Sequence, residues 1–249
     1  MTTSNPTLGA FNNVGILGAN YGNSGTMTVD GTIHKPGILA VLLTLAFGFT
    51  WVGLTHAEGL PSALPIIAAA IGGLVFAMII CFKPTTAPYL SPVYALAEGF
   101  LLASISYPLE QMFPLIVLQA ATLTIATIFG MLLAYRTGLI KVNDTFRAVI
   151  IGATMTIFLY YMVGMIASFF HVLLPGIGLQ GGWLSIGISL VIVVIAAMNL
   201  ALDFDYISRS AGTAPSYMEW YGAFSLMVTI VWLYMEILRL LAQMRGRNQ

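Results

Sequence analysis

Seven long runs of apolar residues constrain this chain most, because each can cross a bilayer as a helix. A helix needs about 20 predominantly apolar residues to span the ~30 Å hydrocarbon core. The runs lie near 38–55, 62–82, 92–108, 113–135, 147–173, 183–205 and 217–242. Only 7% of the residues are charged, against about 25% in a soluble domain. The sequence therefore predicts an all-α fold, a polytopic transmembrane bundle of seven helices surrounded by the lipid bilayer.

Charge and cysteine content exclude several classes of function. Nine basic and nine acidic residues cancel, so the chain offers no basic face for nucleic acid. The single cysteine, Cys81, excludes an intrachain disulfide and a multi-thiolate metal site. We expect no cofactor.

Residue composition divides the chain into three parts. Residues 1–35 are rich in Gly, Asn, Thr and Ser and predict a polar, flexible tail, with a short strand over Thr26–Thr32 as the alternative. The first 33 residues contain no Lys or Arg, which is not typical of a signal peptide. Residues 36–243 form the predicted seven-helix domain, and 244–249 form a short basic C-terminal tail.

The basic residues predict an orientation. They flank alternate loops, at Lys35, Lys83, Arg136, Lys141, Arg147 and Arg209, whereas the loops 56–61, 108–112 and 174–182 contain none. By the positive-inside rule the N-terminus is cytoplasmic, and we expect an integral protein of a prokaryotic plasma (inner) membrane. Seven crossings place Arg245 and Arg247 on the outer side, against the rule.

Acidic residues inside apolar segments are the candidate functional residues. An acid at the centre of a membrane helix costs roughly 2.5–3.5 kcal/mol, so its retention suggests a function. Glu98 is enclosed by apolar residues of the third run, Asp203 lies near the end of the sixth, and Glu236 lies in the seventh. Asp205 and Glu219 are secondary candidates.

Ordinary ion pairs are the alternative for two of these acids. Asp205 is four residues from Arg209, and Glu236 is three residues from Arg239, which are spacings that pair on a helix. A simple hairpin turning near Gly212 would bring Asp203 level with Glu219. Asp203 would meet Glu236 instead if the residues after Pro215 first ran along the membrane surface, and the sequence leaves both arrangements open.

Enzyme motifs are weak, and we expect no enzymatic activity. Gly22-Asn23-Ser24-Gly25 matches the Gly-x-Ser-Gly of rhomboid-type serine proteases, but it lies in the polar tail. The Gly-x-Gly-Asp of intramembrane aspartyl proteases, a His-Glu-x-x-His metal motif and a phosphate-binding glycine loop are all absent from the sequence.

Three short motifs resemble the Bax inhibitor-1/YccA family of seven-helix membrane proteins. Ala97-Glu98-Gly99 is similar to the Glu-Gly of the family's third helix. Asp203-Phe-Asp-Tyr-Ile207 stands where the family has Asp-Thr-Gln-x-Ile in its sixth. Leu233-Tyr-Met-Glu236 resembles Leu-Tyr-x-Asp in its seventh, with glutamate replacing aspartate. The pattern of spans matches over about 36–243.

The resemblance implies a cation leak path, with calcium as the expected ion. In that family an acid of helix six and an acid of helix seven form a pH-sensitive latch, which closes when the two share a proton and opens when they repel. Carried over, Asp203 and Glu236 would form the latch and be candidate calcium ligands, since carboxylates suit calcium. Glu98 would line the path.

A different class of function is also compatible with the sequence. The chain would then be a non-transporting regulator that binds other membrane proteins, such as a quality-control protease, through its N-terminal tail. Deletion of the tail separates the two hypotheses, because a leak should survive it.

Overall fold

Seven long helices make up the part of the chain that the structure describes. The structure, a computed structural model, describes residues 25–56, 63–170, 174 and 182–247. The helices are α1 (Val29–His56), α2 (Ala63–Phe82), α3 (Ala87–Met112), α4 (Ile116–Arg136), α5 (Asp144–Phe169), α6 (Trp183–Ser210) and α7 (Met218–Gly246). Each is long and apolar enough to cross a membrane. The predicted all-α bundle of seven spans is confirmed.

Helix α7 lies at the centre of the bundle. It packs against α1, α3, α4 and α6. Half of the residues in its most apolar stretch are buried within the protein. The helices α1 and α3 approach closely at Gly99, where an added Cβ would lie 2.4 Å from the carbonyl oxygen of Leu43. Only glycine permits that approach, since any side chain would collide with backbone.

Several helix boundaries differ from the prediction. The helix α1 begins at Val29, so residues 29–35, predicted as part of the tail, are its first turns. The alternative of a short strand over Thr26–Thr32 does not hold, because Thr26 forms one isolated bridge, with Pro215, and the helix has begun by Val29. At the other end, α7 continues to Gly246 and includes the start of the predicted basic tail. Residues 1–24 lie outside the described residues.

The segment before α1 is anchored to the turn between α6 and α7. Met27 is buried, its amide donates to the Ala214 carbonyl (2.8 Å), and its carbonyl accepts from the Gly212 amide (2.8 Å). Gly212 has φ +80°, a conformation that glycine adopts without strain. The start of α1 and the α6–α7 turn therefore lie at the same end of the bundle.

Helix α5 is held by polar contacts spaced seven residues apart. Arg147 pairs with Asp205, Tyr161 donates to Glu236, and between them the Thr154 hydroxyl accepts from the Asn199 side chain at 2.8 Å. Seven residues make nearly two turns, so the three contacts share one face of α5. Beyond these contacts, α5 packs against α6.

Candidate functional site

Asp203 is held by hydroxyl groups of the neighbouring helix. The Ser225 hydroxyl donates to Oδ1 at 2.7 Å, and the Thr229 hydroxyl donates to Oδ2 at 2.6 Å. Ser225 and Thr229 are four residues apart on α7, so both face α6. Asp203 is partly buried, and in the described part of the chain no Lys or Arg forms an ion pair with it. When Asp203 is ionised, its described partners are therefore neutral hydroxyl donors and not a cation.

Glu236 lies in a different environment, where an arginine balances its charge. It is buried, and its Oε2 pairs with Arg239, one turn along α7. Its Oε1 accepts from the Tyr161 hydroxyl of α5 at 2.6 Å and from the indole of Trp232 at 3.0 Å. The Arg239 guanidinium also lies 5.0 Å from the centre of the Tyr161 ring. Glu236 has the predicted interior position, and it also forms the ion pair with Arg239 that was the alternative to a functional role.

Asp205 and Glu219 take part in ion pairs at the end of the bundle where α6 ends and α7 begins. Asp205 accepts from Arg147 at 2.9 Å and from Arg209 at 2.8 Å, so the predicted pair with Arg209 is present. Glu219 pairs with Lys35 and accepts from the Thr28 amide at 2.6 Å. These two acids join helix ends, and their charges are compensated.

Glu98 lies between α2 and α3. It is partly buried and hydrogen-bonds Tyr94 of its own helix. A Cβ added to Gly73 of α2 would lie 3.3 Å from its Oε1. Within the described residues Glu98, like Asp203, has no ion pair. No contact joins it to Asp203.

Sequence reasoning missed the hydroxyl partners of Asp203 and Glu236. Ser225 and Thr229 have the i,i+4 spacing of one helix face, and that spacing was the available signal. Tyr161 gave none, because a single tyrosine in an apolar run is common in membrane helices. No three His, Cys, Asp or Glu side chains cluster closely enough to hold a metal in the ranges that the structure describes.

Comparison with known proteins decides the family. The family described as Bax inhibitor 1 like matches residues 5–246, which is nearly the whole chain. This chain belongs to the Bax inhibitor 1 like family. No curated protein and no solved structure matches it.

The two acids of the implied latch do not meet in this Bax inhibitor 1 like protein. Asp203 lies level with Ser225 and Thr229, and Glu236 follows Thr229 by seven residues, or about 10 Å along the helix axis. The alternative pairing with Glu219 is also absent. The hairpin was expected to turn near Gly212. In the structure, residues 211–217 connect α6 to α7, so Asp203 lies level with a position of α7 that is further along the chain than Glu219.

Proposed function

We propose that this Bax inhibitor 1 like membrane protein is a pH-sensitive cation leak, with calcium as the expected ion, and that Asp203 is the acid that meets the ion. The observation that supports it most is the uncompensated charge of Asp203 within a membrane span. Such a group is costly in lipid and is retained where ions or protons are handled.

The groups around Asp203 fit transient cation binding. Its carboxylate and the hydroxyls of Ser225 and Thr229 place oxygen atoms from two helices together, and calcium prefers oxygen ligands. Calcium takes about six to eight ligands in tight sites, far more than these side chains offer. Conduction requires binding that is weak enough for the ion to leave, so an incomplete set of ligands suits a leak better than a calcium store.

The pH response in this proposal comes from one acid. Protonation of Asp203 removes the charge that attracts a cation, and the flux should therefore fall as the pH falls. Glu236 keeps its arginine partner in this scheme and supports the bundle. The role proposed for Glu98, lining the path, is independent of this pair.

Calcium uptake by liposomes containing the purified protein tests the proposal between about pH 8 and about pH 6. We expect a flux that falls with acidification, and an Asp203→Asn variant that has little flux and no pH response. Asp205→Asn is the matched control, because Asp205 is on the same helix but is paired with two arginines. Wild-type flux no greater than that of empty liposomes, or an unchanged pH response in Asp203→Asn, would contradict the proposal.

The N-terminal segment allows a sharper test of the regulator hypothesis. Met27 and Thr28 anchor the start of α1, so a deletion should end at residue 24 and leave that contact intact. A leak should survive this deletion. Loss of a membrane-protein partner with unchanged flux would assign the partner contact to the tail.

The orientation is proposed on the distribution of basic residues. Lys141 lies in the loop between α4 and α5 and is exposed. A cysteine introduced there, in a Cys81→Ser background, should react with an impermeant maleimide only after the cells are opened. Labelling of intact cells would place the N-terminus outside.

A further inference from the structure

An apolar groove runs between α5 and α6 on the membrane-facing side of the bundle. Its volume is about 610 Å³, within the range of about 300–1,000 Å³ that is typical of small-molecule sites. Helix α5 contributes Ala153, Thr156, Ile157 and Tyr160, and helix α6 contributes residues from Trp183 to Ile195. The lining is almost entirely apolar, so an occupant must bring a hydrocarbon surface.

The length of the groove matches one leaflet of a bilayer. On α6 the lining extends from Trp183 to Ile195, a separation of twelve helical rises or about 18 Å along the axis. Half of the ~30 Å hydrocarbon core is about 15 Å. Trp183 begins the span and is exposed, as expected for a tryptophan at the membrane interface. The groove therefore extends from the headgroup level to the middle of the membrane.

A positive charge lies at the mouth of this groove. The Arg247 guanidinium lies 3.4 Å from the centre of the Trp183 ring. Within the described residues no acid forms an ion pair with Arg247. Arg245 differs, because its guanidinium donates to the Pro114 carbonyl and to the Gln119 side chain, each at 2.7 Å. Of these two arginines at the end of α7, Arg247 is the one with no hydrogen-bonded side-chain partner among the described residues.

We propose that the groove binds an acyl chain of an anionic phospholipid and that Arg247 contacts the phosphate of its headgroup. A small soluble anion would leave the apolar groove empty, and in a zwitterionic lipid the phosphate is already balanced by the cationic group of its own headgroup. An anionic phospholipid satisfies both parts of the site. The proposal also gives a role to a basic residue on the side where the positive-inside rule expects none.

Two substitutions test the two parts of the site separately. Arg247→Gln removes the charge, with Arg247→Lys as the variant that keeps it and Arg245→Gln as the control that removes a charge from the same end of α7. Gly187→Leu fills the groove, because a Cβ at Gly187 meets no atom within 4 Å. Gly130→Leu is its control, since Gly130 is equally open but lies on α4.

The measurement is the number and class of lipids that remain bound. Each variant is reconstituted with equal amounts of phosphatidylglycerol and phosphatidylcholine of identical acyl chains, extracted in mild detergent and examined by native mass spectrometry. We expect phosphatidylglycerol to be retained roughly five-fold over phosphatidylcholine. Arg247→Gln should abolish the preference, Gly187→Leu should lower retention of both lipids, and the lysine variant and the two controls should match the wild type.

Three results would overturn the proposal. They are equal retention of the two lipids by the wild type, an unchanged preference in Arg247→Gln, and unchanged retention in Gly187→Leu. Chains that associate through this face in place of lipid would also overturn it. The charge and the groove are changed in separate variants. If one of the two variants does not fold, the other still tests the proposal.

Discussion

Asp203 and Glu236 are carboxylates of adjacent helices, but the bundle stabilises them in opposite ways. Glu236 is buried beside Arg239, whose side chain is only 17% exposed. Asp203 has two hydroxyl donors and no basic partner in the described part of the chain. A buried ion pair is neutral as a unit, whereas a carboxylate held by hydroxyls has no cation to balance the charge that it carries when ionised. The first arrangement suits structure, and the second leaves a charge available to a cation.

The largest expected effect comes from removing the counter-charge of Glu236. Arg239→Gln leaves a buried carboxylate without its cation, and loss of one partner of a buried pair costs about 3–5 kcal/mol. Unfolding in mixed micelles with sodium dodecyl sulfate, followed by circular dichroism, measures the change. Arg209→Gln is the control, because Arg209 is exposed and Asp205 retains Arg147. Equal losses in the two variants would mean that Glu236 is not more dependent on its arginine than Asp205.

Replacing both members of the pair sharpens the comparison. Well-packed apolar substitutes for a buried ion pair are often neutral or stabilising. We therefore expect Glu236→Leu with Arg239→Met to recover most of the stability that Arg239→Gln loses, and to keep calcium flux near the wild-type level. A double variant that is stable but has no flux would transfer the ion-handling role to Glu236.

A smaller effect is expected at the hydroxyls of Asp203. Thr229→Val removes one of the two hydroxyl donors from the carboxylate. Because no basic partner supports Asp203 in the described part of the chain, we expect a loss near the upper end for interhelical hydrogen bonds, about 1.5 kcal/mol. The same change should reduce calcium flux, because it removes an oxygen beside the proposed ion position. Thr124→Val is the matched control, since Thr124 is buried and, within the described residues, its hydroxyl bonds to the Ala120 carbonyl of its own helix and to no other group. Equal flux in the two variants would separate Thr229 from the ion path.

The sequence predicted the helices and the acids better than the contacts between them. A long apolar run indicates a segment that lies in lipid, so the seven spans could be predicted from hydropathy alone. The cost of an acid in lipid identified Asp203 and Glu236 as candidates. The partner of Asp203 depends on the level at which α6 meets α7. Placing the turn a few residues too early put Glu219 at the level of Asp203, where the structure has Ser225. The partner of Glu236 comes from α5, 75 residues earlier, where local patterns carry no information. The absence of enzymatic activity stays a prediction.

The smallest expected effect on stability is at Tyr161. Its substitution tests whether Glu236 shares the ion-handling function that is proposed for Asp203. Tyr161→Phe removes one hydroxyl from Glu236, but Arg239 and Trp232 remain. Interhelical hydrogen bonds in membrane proteins average about 0.6 kcal/mol, so unfolding should shift only slightly. The proposed ion position lies about 10 Å away along α7, so flux and its pH response should match the wild type. Both are measured beside Thr229→Val in the same liposomes. If Tyr161→Phe lowered the flux as much as Thr229→Val, the two carboxylates would belong to one path, and the division between a structural acid and an ion-handling acid would be wrong.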